Sequence, residues 1–237
     1  MRVICAGQSD IGLKRKLNED RILERPECGL WAVADGLGGH EKGEVASAAV
    51  VDALAQIPAH TELDKLVAAA RESLQEVNAS LRQLARSRGS PTTIGSTVVG
   101  LVVSGSEFRC FWAGDSRAYQ ARGAQMVQIS RDHSLVQDLV TAGLVDAADA
   151  ERHPDSNVIT RAVGVAATLE IDCVSGDVQS GDIFLLASDG LTRVVRPEEI
   201  LHVLRTLNPA QATAALIDLV LSRGAPDNVS VVTCRIA

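Results

Sequence analysis

Aromatic residues make up only 3% of this 237-residue chain. Its core must therefore be aliphatic, and dense Val, Leu, Ile and Ala runs within a 46% hydrophobic composition supply one. Cysteine is also sparse. Cys5, Cys28, Cys110, Cys173 and Cys234 are scattered, odd in number and never form a C-x-x-C pair. That excludes a disulfide framework and a zinc knuckle, and leaves small buried hydrophobes in a reducing compartment. There is no basic stripe, and the formal charge of −7 argues against nucleic acid as a partner. The first ten residues lack the apolar core of a signal peptide. The one long uncharged stretch, Gly89 to Ser106, is broken by Pro91 and by several Gly, Ser and Thr. No membrane span is expected, and the expected location is the cytoplasm. Nothing divides the chain in two, so one domain over 1–237 is expected, with a monomer as the default.

Apolar runs and turn residues give the order of elements. Strands are expected at 3–8, 21–25 and 30–34, then a helix over 43–57 with Val45, Ala49, Leu54 and Ile57 near one face. Thr61 can cap a second helix, in which Leu63, Leu66, Val67, Ala70, Leu74, Val77, Leu81 and Leu84 recur at helical spacing. Strands at 96–103, 107–113, 118–122 and 125–129 follow, joined by short Gly/Ser links that favour antiparallel hairpins. Residues 132–163 read as two short helical stretches and a polar segment. Strands at 169–174 and 183–186, helices at 197–207 and 209–222, and a strand at 229–236 complete the chain. Helix pairs placed between groups of strands suggest helices packed outside two sheets.

Two of the strands close on Asp-Gly: Trp31-Ala-Val-Ala-Asp35-Gly36 and Phe184-Leu-Leu-Ala-Ser-Asp189-Gly190. Each delivers a carboxylate to a strand end, beside a backbone free to turn sharply. Asp115 follows another apolar run, and Asp227 precedes the last strand. Carboxylates with backbone carbonyls and water are the ligands hard cations prefer, so the set points to Mg²⁺ or Mn²⁺ and away from zinc. Two such ions would polarise a phosphoryl oxygen and acidify water. Arg15, five residues before Asp20, is the candidate phosphate clamp. Other readings of the motifs are weaker. Gly36-Leu-Gly-Gly39 lacks the spacing and the Lys-Ser/Thr ending of a nucleotide loop, and Ser116 lacks a Gly-x-Ser-x-Gly elbow. His133 reads as a capping or surface histidine, Glu44 as a helix-dipole partner, and Arg117 and Arg161 as salt-bridge residues or residues that reach substrate. Asn228 is expected to orient Asp227.

Ser9-Asp-Ile-Gly12, Arg15-Lys-Leu-Asn-Glu-Asp20 and Val33-Ala-Asp-Gly-Leu-Gly-Gly-His40 resemble the opening of the metal-dependent type 2C serine/threonine protein phosphatases. The likeness continues through Gly95-Ser-Thr97, Ala113-Gly-Asp-Ser-Arg117, Asp132-His-Ser134, Ile159-Thr-Arg-Ala-Val-Gly164, Leu186-Ala-Ser-Asp-Gly190 and Asp227-Asn-Val229, in family order. It implies an α+β fold, a four-layer αββα sandwich of two antiparallel sheets, with 132–163 as a flap beside the site. It implies two catalytic Mg²⁺ or Mn²⁺ ions bridged by Asp35, with Gly36 carbonyl on one and Asp189 and Asp227 on the other. Glu19, Asp20 and Thr97 would hold metal-bound waters, and Asp115 with Asp189 would hold a third, weaker ion. A metal-bridging hydroxide would attack phosphoserine or phosphothreonine directly. The partners implied are phosphorylated proteins and a cognate bacterial Ser/Thr kinase. Leu37 stands where eukaryotic members carry a His proposed as general acid, which leaves the proton donor unassigned; His40 is the nearest candidate. A catalytically inactive phosphoprotein-binding relative is the alternative, and an anti-sigma-antagonist phosphatase a narrower version of the enzyme.

Overall fold

In the computed structural model, which describes residues 2–38, 42–59, 62–87 and 93–237, eleven strands form two antiparallel sheets. The first has the order β1 (Val3–Asp10), β11 (Val229–Ile236), β10 (Ile183–Ala187), β7 (Arg117–Arg122), β8 (Gln125–Gln128). The second has the order β2 (Asp20–Arg25), β3 (Leu30–Leu37), β5 (Val98–Ser104), β6 (Glu107–Ala113), β9 (Asp172–Asp177), and the short β4 (Gly95–Ser96) pairs with the end of β3.

Three apolar layers hold these sheets together. Trp31, Val33, Val99, Leu101, Phe184, Leu186 and Val232 meet between them. The other face of the second sheet is covered by α1 (Lys42–Ala55) and α2 (Leu63–Ser87), through Val50, Leu54, Leu66, Ala70 and Leu74. The other face of the first is covered by α5 (Pro197–Thr206) and α6 (Pro209–Ser222), through Ile200, Leu204, Leu216 and Val220. This is the expected αββα order. Both faces of β10 and β11 are covered, so β10 is apolar throughout and β11 is buried along nearly its whole length, whereas β2 and β9 are partly exposed.

Three expectations need correction. The buried face of α1 runs through Gly43, Ala46, Ser47, Val50 and Leu54, and Val45 is exposed. A helix this rich in Ala and Val is apolar nearly all round, so spacing alone did not choose its face. Next, β9 begins at Asp172 rather than 169, because its partner β6 reaches only Trp112 opposite Asp172. The preceding segment pairs instead with α2: Asn78 donates to Ala166 O, Arg82 to Ala167 O, Gln75 to Leu169 O and Arg71 to Ile171 O. Finally, Asp189 does not end a strand but begins a single helical turn, α4 (Asp189–Thr192). The Thr61 cap lies outside the described residues.

Segment 132–163 contains the two expected short helices, α3 (Leu135–Thr141) and a 3₁₀ turn at Ala147–Arg152. Its ends are tied to each other and to the second sheet by Leu135 N–H to Val158 O, Thr160 N–H to His133 O and the Ser96–Val163 bridge.

Candidate metal centre

Register decides which strand ends meet. Asp10 pairs with Val229, Ala187 with both Val231 and Arg117, Asp20 with Asp35, and Val98 with Ala113. The ends of β1, β3, β6 and β10 and the starts of β2, β7 and β11 therefore share one pole of the sandwich. Asp35, Asp115, Asp189 and Asp227 arrive there from four separate positions in sequence. Together with Arg15, Glu19 and Gly36 they line a pocket of about 290 Å³.

Backbone and hydroxyl contacts hold Asp35, Glu19 and Asp20 in place. Asp35 N–H donates to Thr97 Oγ1 (3.0 Å) and Asp35 O accepts from Thr97 N–H (2.8 Å) and Ser96 Oγ (3.0 Å). Thr97 Oγ1 is also hydrogen-bonded to Ser116 Oγ at 2.7 Å, which fixes the hydroxyl that accepts from the Asp35 backbone. Gly36 N–H donates to Glu19 O, and Glu19 Oε1 accepts from Gly43 N–H. A Cβ at Gly36 would run into the Gly43 and Glu19 carbonyls, and one at Gly190 into that of Asn228. Both Asp-Gly pairs thus need glycine for close backbone approach. Asp20, buried beside Asp35, accepts from Ser188 Oγ at 2.8 Å.

Asn228 works differently from the expectation. Its backbone N–H, not its side chain, holds Asp227 Oδ1 at 2.8 Å. The side chain ties down the β1–β2 loop, donating to Ile11 O and Leu17 O and accepting from Glu19 N–H. His133 is also corrected. It is buried, stacks on Trp112, accepts from Gly114 N–H and lies beside the Arg161–Asp172 ion pair. Arg117 pairs with Asp132 as expected of a structural residue, and Glu44 pairs with Arg21. His40 lies outside the described residues.

Gathering like charges has an electrostatic cost. Burial, then Asp20, Asp189, Asp115 and Asp227, raise the Asp35 carboxyl well above the usual carboxylate range. Burial raises Asp20 and Asp115 to about 7, with Asp189 adding to both. Asp189 and Glu19 are raised too, again chiefly by burial. Two arginines offset part of this. Arg15 meets Asp227 at 2.6 Å, and Arg193 meets Asp189 at 2.8 Å and Asp115 at 3.4 Å. The Asp227 contact means Arg15 is not a phosphate clamp alone. Sequence reasoning missed Arg193 altogether, although its place one turn after Asp189 was a usable signal.

Do these residues fit a hard cation? All the charged donors are oxygen, no Cys is near, and Asp115 Oδ1 is buried without a hydrogen-bond partner among the described residues. Among those residues no three His, Cys, Asp or Glu side chains form a ready-made group for one ion. The Gly36 carbonyl and water would have to complete the shell, which suits Mg²⁺ and Mn²⁺, ions that keep several waters.

Comparison with known proteins agrees. The family model described as protein phosphatase 2C matches residues 13–222. The chain belongs to the protein phosphatase 2C family. It is 36% identical over 235 residues to the serine/threonine protein phosphatase PstP of Mycobacterium tuberculosis, covering 98% of this chain but only 44% of PstP. With the serine/threonine phosphatase stp of Listeria monocytogenes identity is 34% over 234 residues, covering 94% of this chain and 92% of stp. Among solved structures, the fold matches "PppA, a key regulatory component of T6SS in Pseudomonas aeruginosa" with a TM-score of 0.93, 43% identity and coverage of 99% of this chain and 98% of PppA. It matches the PstP catalytic domain, solved in complex with two manganese ions, with a TM-score of 0.85, 33% identity and 99% coverage of both chains. The αββα architecture is thus that of the bacterial phosphatase 2C enzymes. No helix among the described residues is long and apolar enough to cross a membrane.

Proposed function

We propose that this phosphatase 2C chain, as one catalytic domain with 132–163 as its flap, hydrolyses phosphoserine and phosphothreonine in proteins phosphorylated by a bacterial Ser/Thr kinase. The observation that carries the reading is the convergence of Asp35, Asp115, Asp189 and Asp227 with Arg15 on one pocket. Asp35 and the Gly36 carbonyl would hold one Mg²⁺ or Mn²⁺, and Asp35 with Asp189 and Asp227 a second. Asp115 with Asp189 would hold a weaker third. Bound there, the ions would polarise the phosphoryl oxygens and make water a nucleophile at neutral pH. Glu19 and Asp20 orient water beside Asp35, and Thr97 keeps the Asp35 backbone in place. Arg15, half-exposed at the rim, receives the phosphate when it leaves Asp227. Leu37 has no ionisable group, so the leaving alkoxide would take its proton from water at the pocket mouth or from His40.

Hydrolysis of a phosphoserine peptide tests the reading. Chelation should abolish turnover, and Mn²⁺ or Mg²⁺ should restore it better than Ca²⁺, whose looser geometry fits the site poorly. Turnover that survives exhaustive chelation would rule the reading out. Arg15→Ala should raise KM roughly tenfold and also lower kcat, with the fold intact by circular dichroism. Unchanged kinetics would remove Arg15 from the phosphate site. The likeness to PppA favours a substrate in secretion-system regulation, which phosphoproteomics of a deletion strain would reveal as phosphosites that rise.

A further inference from the structure

Arg193 belongs to none of the strand-end motifs, yet its guanidinium spans three parts of the site. Nε pairs with Asp189 Oδ2 at 2.8 Å, while Nη2 lies 3.4 Å from Asp115 Oδ2 and 3.4 Å from Ser156 O in the flap segment. Asp115 follows β6 and Asp189 opens α4, and the charge of Asp189 weighs on the buried Asp115 carboxyl. Asp115 is almost wholly buried, and one of its oxygens has no hydrogen-bond partner among the described residues. Two close carboxylates in such a setting need a cation. Arginine is suited to supply it, because its planar fork reaches two acceptors at once and stays charged at any working pH.

We propose that Arg193 is the resident counter-cation of the Asp115–Asp189 pair and competes with a third divalent ion for those carboxylates. The inference rests on the two-ion reading of the neighbouring site. A divalent ion bridging Asp115 and Asp189 would meet the guanidinium at Asp115 Oδ2 and Asp189 Oδ2 and would bring a second positive charge beside it, so ion and side chain compete for the pair. The affinity for a third ion is then set by Arg193, while the tight pair keeps Asp35, the Gly36 carbonyl and Asp227 as ligands and shares only Asp189 with the third, so both tight ions stay bound with or without the guanidinium. The contact to Ser156 O adds a second consequence: when the guanidinium leaves, one tie between α4 and the flap segment is lost.

Mn²⁺ binding, followed by equilibrium dialysis with electron paramagnetic resonance of the free ion, separates these terms without substrate. Wild type, Arg193→Ala and Arg193→Gln should bind the same tight pair of ions. Both variants should then bind a third ion about tenfold more tightly than wild type, or show one where wild type shows none. Arg193→Lys, which keeps the charge but not the fork, should fall between. In the chelated protein, hydrogen exchange at amides around residue 156 should be faster in Arg193→Ala. A third-ion affinity unchanged or weakened in both neutral variants, with the tight pair intact, would overturn the proposal. Absence of the tight pair from wild type would instead overturn the two-ion reading beneath it. Arg193→Gln removes the charge but keeps the aliphatic stem and a polar end at this partly exposed position, so it remains decisive if the alanine variant does not fold.

Discussion

Asp35→Asn should cost activity roughly a thousandfold while making the chelated protein more stable. Both effects have one cause. Asp35 faces Asp20, Asp115, Asp189 and Asp227, and burial strengthens every repulsion among them. Without divalent ions this pole stores unfavourable electrostatic energy, and an isosteric amide removes part of it. A gain of about 1 kcal/mol would raise the melting temperature of a chain this size by roughly 2–4 °C. With Mn²⁺ present the order should reverse, because wild type gains binding energy that the variant has lost. A chelated Asp35→Asn protein that melts below chelated wild type would show that the carboxylates are not under this repulsion.

The pH dependence follows with a definite sign. A carboxyl raised on folding binds more protons folded than unfolded between its ordinary value and its raised one. Stability therefore falls as pH rises through that interval. For Asp20 and Asp115 the interval runs from about 4 to about 7, and Asp35 and Asp189 act in the same direction. Asp172, Asp177, Asp182 and Glu199 are lowered by arginine or hydrogen-bonding partners, so they add stability as pH rises, but only below about 4. His133, lowered by burial and by Arg161, opposes the trend as a single group. The chelated protein should therefore lose thermal stability from about pH 4 to pH 7, and Mn²⁺ should recover most at the upper end, where the carboxylates are charged. A flat or rising profile in chelator over that range would contradict this account.

The chemistry of the pole could be read in the sequence because the strands that carry it are buried on both faces. Such strands are long apolar runs, and their ends stand out when the next residues are Asp and Gly. Asp227 stands just before β11 as that pattern predicts, and the expected limits of α5, α6 and β11 almost match those observed, but β3 continues through Asp35 to Leu37 instead of closing at Ala34. The misreadings share a different origin. Arg71, Gln75, Asn78 and Arg82 look like an ordinary polar flank of α2, but they satisfy carbonyls about 90 residues away in sequence. Val45 points away from the core, and α1 is apolar on several sides, so its spacing selects no single face. His133 and Arg193 have roles defined by residues that meet only after the sheets form. Periodicity reports which face is buried, not which backbone group a long side chain will reach.

Asn228→Ala should be among the most damaging substitutions outside the carboxylates, although Asn228 is not expected to touch an ion. It is buried, and both ends of its amide are in use: Nδ2 donates to Ile11 O at 2.8 Å and Leu17 O at 3.0 Å, and Oδ1 accepts from Glu19 N–H at 2.9 Å. The segment it grips, 11–19, carries Arg15 and Glu19 and crosses from the first sheet to the second. Alanine removes three hydrogen bonds and leaves backbone groups short of partners, a loss of about 3 kcal/mol or more. That corresponds to a melting temperature lower by roughly 6–12 °C. Arg15 would then be displayed from a loosened loop, so KM for a phosphopeptide should rise as well. Asn228→Asp makes the test specific. It keeps the acceptor for Glu19 N–H, loses both donors and adds a charge beside Asp227, so it should be at least as destabilised as alanine in chelator and recover part of that loss with Mn²⁺. Hydrogen exchange at residues 11–19 should increase in both variants. Exchange at wild-type levels there, with a lowered melting temperature, would mean that Asn228 supports β11 and not the loop that presents Arg15.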